Sequence, residues 1–407
     1  MSAGANRIAV IDGLRGYFLV LMMSSHIKFQ DGAALLRLHH GEISFVEDAQ
    51  GFVFLSGLVI GLAYTRTLLK QGAKAMTGKA ISRVGELYRL LLLTLFVVVG
   101  TAYLLPSGAE IWGWQLGKLA EAPLDHVATA VSLLYQPAYL DILPQYMIYL
   151  LIAPLLVRAT VAGHGLAVIA GSFAVWIMTQ MGLHLPMVDA LARLVAAADS
   201  NGTIRSYFNP LGWQLLFVCG VVLGTAAKCG RLEVEALLHR RRADLALVAA
   251  VVVLVFAICR IVHGLGLLGG TPTGDQFYRL LRREDLSLVY VVNFAAIAYV
   301  MAWTLHNALE DNLPAPVAFV ARGLHYTFRR PFFVFLGQHS LQVYAFHVLV
   351  AYAVVAIDWA GGPFNEMTKS LIIIASVASL AIPAMWHSLS QQREAARARR
   401  PISLQTR

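Results

Sequence analysis

The stretch Ile8-Ala9-Val10-Ile11-Asp12-Gly13-Leu14-Arg15-Gly16-Tyr17-Phe18-Leu19-Val20-Leu21-Met22-Met23-Ser24-Ser25-His26-Ile27 decides the fold class. It has the length of about 20 residues that a bilayer-crossing helix needs, yet it carries Asp12, Arg15 and His26. A charged side chain at membrane depth costs roughly 2.5 to 3.5 kcal/mol or more, so residues of this kind inside a span mark function. Eleven residues separate Arg15 from His26, which at ~100° each is about three turns plus 20°. The two side chains therefore share one helix face, ~16 Å apart along the axis.

The rest of the chain agrees with a membrane reading. Of 407 residues 58% are hydrophobic and only 14% charged, which excludes an ordinary soluble domain. Apolar runs at 8–27, 51–64, 87–105, 139–157, 166–183, 210–227, 245–262, 286–305, 332–356 and 370–389 predict an all-α polytopic bundle of about 10 transmembrane helices. An even number puts both termini on one side. With the N-terminus inside, the inner segments hold roughly twice as many Lys and Arg as the outer ones, so N and C termini are expected in the cytoplasm. The net charge of +9 is then mostly this bias, and no nucleic-acid partner is expected because no basic stripe is interleaved with aromatics. Membrane lipids are the expected surroundings. The first run is too long and too charged for a cleaved signal and is expected to remain as an anchor. Cys219, Cys229 and Cys259 form no disulfide or thiolate-metal pattern and read as small apolar residues. One membrane domain over 1–390 and a basic cytoplasmic tail over 391–407 are expected.

Five groups of polar residues are candidates for chemistry. Glu47 and Asp48 open the second span on the side where His26 ends the first, and a carboxylate bonded to one imidazole nitrogen leaves the other as a base. Asp48 is the preferred partner of His26, although either acid would also serve as a helix cap. Tyr139, Asp141, Gln145 and Tyr146 bring a carboxylate, an amide and two phenols to the outer edge of the fourth span, a mixture that suits sugars and that an interfacial tyrosine belt would also explain. Trp213 and Gln214, with Asn209, have the same double reading at the start of the sixth span, as do Arg260 and His263 at the end of the seventh. The ninth span contains His339, Ser340, Tyr344 and His347, a wet path toward mid-membrane or a set of helix-to-helix hydrogen bonds. No His and carboxylate set has a metal-ligand spacing, so no metal is expected.

Arg15 and His26, Phe52 to Gly57, and Gly337-x-x-Ser340-x-x-x-Tyr344-x-x-His347 resemble the acyltransferase-3 superfamily of integral membrane enzymes over nearly the whole chain. More narrowly, Ile11-Asp12-Gly13-Leu14-Arg15-Gly16, Leu143-Pro144-Gln145-Tyr146, Asn209-Pro210-Leu211-Gly212-Trp213-Gln214 and Leu336-Gly337-Gln338-His339-Ser340 are similar to the OpgC branch, which succinylates osmoregulated periplasmic glucans. The resemblance implies a multi-pass O-acyltransferase (succinyltransferase) of the bacterial inner membrane. It implies an acyl-CoA donor, succinyl-CoA, used from the cytoplasm, no permanently bound cofactor, and a periplasmic glucan as acceptor. His26 would be general base or transient acyl carrier, with Glu47 and Asp48 as its support. Arg15, His339, Ser340, Tyr344 and His347 would hold the donor, and Tyr139, Asp141, Gln145, Trp213 and Gln214 the acceptor. Many superfamily members have a proline after the inner-loop basic cluster where this chain has Leu90, so no donor role carries over to Arg83 or Arg89. The acyl group, the acceptor linkage, direct transfer against an acyl-histidine, and a homodimer stay open. A transporter or flippase of a polar glycan or lipid-linked precursor would also use intramembrane charge, but the span pattern has no inverted repeat.

Overall fold

In the computed structural model the chain is helical, with residues 3–198, 204–267, 269–310 and 313–398 described. Extended pairing among the described residues is confined to one isolated bridge, Tyr135 with Arg205. The tail expected over 391–407 falls partly on the helix Ala381–Ala398, and residues 399–407 lie outside the described residues.

Among the described residues, seven helical stretches are long and apolar enough to cross a membrane: Asp48–Leu104, Ile142–Gln180, Pro210–Lys228, Arg240–Gly264, Leu288–His306, Ser340–Gly361 and Glu366–Glu394. The helix Ala3–His26, which carries the charged residues of the first expected span, is not among the seven. Its 24 residues span about 36 Å. Expected spans and observed helices differ where polar residues keep the chain helical between apolar runs. The runs 51–64 and 87–105 lie on one 57-residue helix, Asp48–Leu104, interrupted in its backbone geometry at Gly72 (φ 83°, ψ 175°). Lys70, Lys74, Lys79 and Arg83 occupy its middle, and Lys and Arg are good helix formers, so hydropathy ends there while the helix does not. Similarly, 139–157 and 166–183 are joined through a wide turn at Thr160–His164, where Gly163 has φ 101°. The ninth run breaks at His339 (φ −111°, ψ 28°) into Pro331–Gln338 and Ser340–Gly361. On Ala243–Gly264 the side chains of Leu247, Val251, Leu254, Val255 and Ile258 are exposed, an apolar surface suited to lipid. The protein is a helical membrane protein.

The chain forms two compact units, Met1–Ala33 with Tyr326–Arg407, and Ala34–His325. In the larger unit Asp48–Leu104 packs along Pro210–Lys228 through small residues: a Cβ on Gly57 would lie 2.2 Å from the Phe217 carbonyl oxygen, and one on Gly220 would lie 2.3 Å from that of Phe54. Around this crossing Trp213, Tyr64, Tyr149 and Phe217 are fully buried. In the terminal unit Ala3–His26 lies against Pro331–Gln338 at the same kind of contact. Cβ atoms on Gly13, Gly16 and Gly337 would stand 1.6, 1.9 and 1.8 Å from the carbonyl oxygens of Phe328, Phe333 and Asp12. Those oxygens are backbone and cannot rotate away, so Gly16 and Gly337 set the spacing of the two helices, and Gly13 sets the approach to the backbone at Phe328 just before the second.

Gly337→Ala should therefore lower stability by about 1–3 kcal/mol or more, seen as an earlier thermal midpoint in detergent. Gly78→Ala, where a Cβ meets nothing within 4 Å, should leave the midpoint in place or raise it. Equal midpoints for Gly337→Ala and the wild type would remove the close approach from the account.

Candidate active site

The first helix and Ser340–Gly361 meet through two polar contacts in the same order along both. Arg15 Nη2 donates to Ser340 Oγ at 2.6 Å, and its Nη1 lies 3.8 Å from Asp12 Oδ1 one turn earlier. His26 Nδ1 lies 2.9 Å from His347 Nε2, with the rings stacked at 5.0 Å. His347 is fully buried, and its Nδ1 contacts the Tyr344 carbonyl oxygen, which can only accept. The chain of bonds fixes the tautomers. His347 carries its proton on Nδ1 and accepts at Nε2, so His26 donates from Nδ1 and holds its lone pair on Nε2. A neutral imidazole thus does the orienting that a carboxylate was expected to do.

Other residues of the terminal unit support this arrangement. Tyr344 sets its ring edge-to-face on His347 at 4.6 Å. His339, at the break before Ser340, pairs Nδ1 to Nδ1 with His387 at 2.8 Å. After His26 the chain is tied down by Gln30 N–H donating to Asp358 Oδ2 at 2.8 Å and by Lys369 Nζ donating to Asp31 Oδ1 at 2.6 Å and Glu366 Oε1 at 3.2 Å.

The carboxylates expected near His26 have partners within the larger unit. Asp48 Oδ2 is 2.9 Å from His39 Nε2, and its Oδ1 is 3.2 Å from His40 Nε2. These three residues bring possible metal-ligand atoms within 4.8 Å of one another. Because His39 Nδ1 accepts from Gly41 N–H, its Nε2 carries the proton and faces Asp48 as a donor, not as a metal ligand. Glu47 accepts the cap role: its backbone N–H donates to Gln50 Oε1 at 2.8 Å, and its carboxylate lies 3.6 Å from Arg283. Burial pushes the Glu47 carboxyl up, with Arg283 pulling the other way.

The residues expected to hold an acceptor separate into two groups in that unit. Trp213 is fully buried and donates Nε1–H to the Glu284 carbonyl at 3.0 Å, while Gln214 exchanges hydrogen bonds with Ser172, so both tie helices together. Tyr139 lies instead against Trp114, and Trp114 against Tyr207, with ring centroids 6.2 and 6.4 Å apart; the Asp141 carboxyl accepts from the Tyr207 backbone N–H, and Gln145 follows Asp141 by one turn of helix. Sequence reading missed His39, His40, Trp114, Tyr207 and His387. The adjacent His39-His40 pair was a readable signal, whereas Trp114 and Tyr207 sit in separate connecting segments whose meeting no local pattern announces.

A family model described as OpgC protein matches residues 7–392. The chain belongs to the OpgC family. The matched region takes in Arg15, His26, Ser340 and His347 together with Asp48, Asp141 and Gln145. Membership makes the protein a glucan-modifying enzyme of acyltransferase type. No curated protein and no solved structure matches the chain.

The tie after His26 gives a pH test. The hydrogen bond from Lys369 holds the Asp31 carboxyl below its usual range. A depressed carboxyl contributes stability that is present above its unfolded value and is lost as pH falls through its folded value. Asp31→Asn, which leaves a 2% exposed lysine without that charge partner, should melt earlier than the wild type near neutrality. The gap in melting temperature should close as pH drops below the carboxylate range, about 4 and under. A gap independent of pH would show that the ion pair contributes nothing.

Proposed function

We propose that the protein is a membrane O-acyltransferase that moves a succinyl group from succinyl-CoA on the cytoplasmic side to a hydroxyl of a periplasmic glucan, from a site in the bacterial inner membrane. Its termini are cytoplasmic, and it falls within the wider acyltransferase-3 superfamily. One observation carries the reading most: the bond chain from the Tyr344 carbonyl through His347 to His26 leaves the His26 lone pair on Nε2, on the helix face that Arg15 shares.

The chemistry follows from that tautomer. In direct transfer the acceptor hydroxyl oxygen attacks the thioester carbonyl carbon while His26 Nε2 takes the hydroxyl proton. The tetrahedral intermediate collapses with cleavage of the C–S bond, and the proton on His26 passes to the departing thiolate, giving free CoA thiol and the glucan ester. Charge on the imidazolium is shared through Nδ1–H with His347. If His26 is acylated first, the same Nε2 attacks the thioester carbonyl and the C–S bond breaks to release CoA thiolate; the acceptor hydroxyl then attacks the acyl-imidazolium, the C–N bond breaks, and the hydroxyl proton ends on the thiolate. Arg15, held by Ser340 and Asp12, presents a planar set of donors to the phosphate or carboxylate oxygens of the donor.

His26→Ala should still fold, melting somewhat earlier because His347 Nε2 loses its donor, and should lose succinyl transfer by roughly 10²-fold to 10⁴-fold. Arg15→Lys should bind donor more weakly in spite of its charge, because a point charge does not reproduce the fork. Transfer of labelled succinate to glucan by purified variants decides both. Wild-type turnover by His26→Ala would remove His26 from the mechanism, and normal donor affinity in Arg15→Lys would make Arg15 a structural partner of Asp12.

A further inference from the structure

The connecting segments around Tyr139 hold a group of residues that packing does not explain. Residues 114–117, 134–141 and 204–207 are laced by backbone bonds: Gln136 N–H to the Arg205 carbonyl, Arg205 N–H to that of Leu134, and Ala138 N–H to that of Gln115, at 2.8 to 3.0 Å. Arg205 clamps them further, donating from Nη2 to the Trp114 carbonyl at 3.0 Å and to the Tyr207 hydroxyl at 2.8 Å while lying over the Tyr207 ring. This lacing gathers Trp114, Tyr139 and Tyr207 from three parts of the chain. Trp114 is 60% exposed, and Tyr139 is held at φ 71°, a left-handed conformation that costs a bulky residue of order 1–3 kcal/mol.

Beside the aromatic group stand polar atoms with nothing in the protein to bond. Asp141 and Gln145, four residues apart, are 5% and 2% exposed, yet Asp141 Oδ2 and both side-chain polar atoms of Gln145 have no hydrogen-bond partner. Gln136 Nε2 and Gln115 Oε1, in the same laced segments, are likewise buried and unpaired. Asp141 occupies the N-cap position of Ile142–Ala159 but makes no side-chain cap bond, so the capping explanation fails for it. Unpaired buried groups of this kind cost about 1–3 kcal/mol each, and a chain keeps several together only where something else uses them.

We propose that Trp114, Tyr139, Tyr207, Asp141 and Gln145 form a binding subsite for a neutral glucose oligosaccharide, the acceptor of the reaction above, on which reading the identity of the ligand rests. A pyranose has an apolar C–H face for an aromatic ring and hydroxyls that both donate and accept. The carboxylate and amide offer acceptors and donors four residues apart. An anionic ligand fits poorly. Arg205 already spends its donors on Trp114 and Tyr207, and Asp141 would repel a phosphate.

Calorimetric titration of the full-length protein in detergent with soluble glucose oligosaccharides, α-linked and β-linked in separate runs, in the absence of acyl-CoA, tests the subsite. The wild type should bind. Asp141→Asn, Gln145→Leu and Trp114→Ala should each weaken binding roughly tenfold or more, while Trp386→Ala, which removes a 75% exposed tryptophan elsewhere, should not. Gln145→Leu should also keep or raise the melting temperature, since it deletes unpaired buried atoms; a merely structural glutamine would lower it. Binding of the oligosaccharide by all three subsite variants as by the wild type, or no binding by the wild type, would overturn the subsite. Wild-type binding that the variants lose, in a protein that never transfers succinate, would keep the subsite and overturn the acyltransferase reading.

Discussion

The contact between the first helix and Pro331–Gln338 sets the terms for the terminal unit. Gly16 and Gly337 let the two backbones approach until a single methyl group would overlap a carbonyl oxygen, and Gly13 does the same against Phe328 just before that helix. Within a membrane such approach supplies the dispersion contacts that the hydrophobic effect does not supply between helices. Here it also has a functional consequence. Two of the glycines flank Asp12 and Arg15, and the third precedes Ser340 by three residues, so the same crossing that packs the unit brings the guanidinium to the serine hydroxyl at 2.6 Å. Eleven residues further along the first helix, His26 meets His347 on the helix that Ser340 begins.

The second constraint is electrostatic. A largely buried guanidinium is tolerable only with its charge and donors answered. Asp12 at 3.8 Å answers the charge, and Ser340 takes one of the donors. At His26 the partner is a neutral imidazole, which fixes the tautomer without adding a second charge to be desolvated.

Much of this was legible in the residues. Charge inside an otherwise apolar run pointed to Arg15 and His26, and the polar stripe Ser340, Tyr344 and His347 was visible because three- and four-residue steps stay on one helix face. What escaped was whatever depends on distant segments meeting. Hydropathy separated 51–64 from 87–105 although one helix carries both, because lysine and arginine end an apolar run without ending a helix. Asp48 read as a partner for His26 on sequence proximity, whereas its oxygens face His39 and His40, nearer still along the chain but in a loop with no periodicity to place them. Asp141 and Gln145 were visible as a polar pair, but Trp114 and Tyr207 join them only through the lacing around Arg205.

In the proposed reaction the donor's acyl end is handled along the Arg15–His26 face and the Ser340–His347 helix. Photocrosslinking with a succinyl-CoA analogue bearing a photoreactive acyl group, followed by peptide mapping of the labelled sites, addresses it directly. Adducts should fall on the peptides containing Arg15 to His26 and Ser340 to His347 and be suppressed by excess succinyl-CoA. Competable adducts confined to residues 34–325 would contradict it.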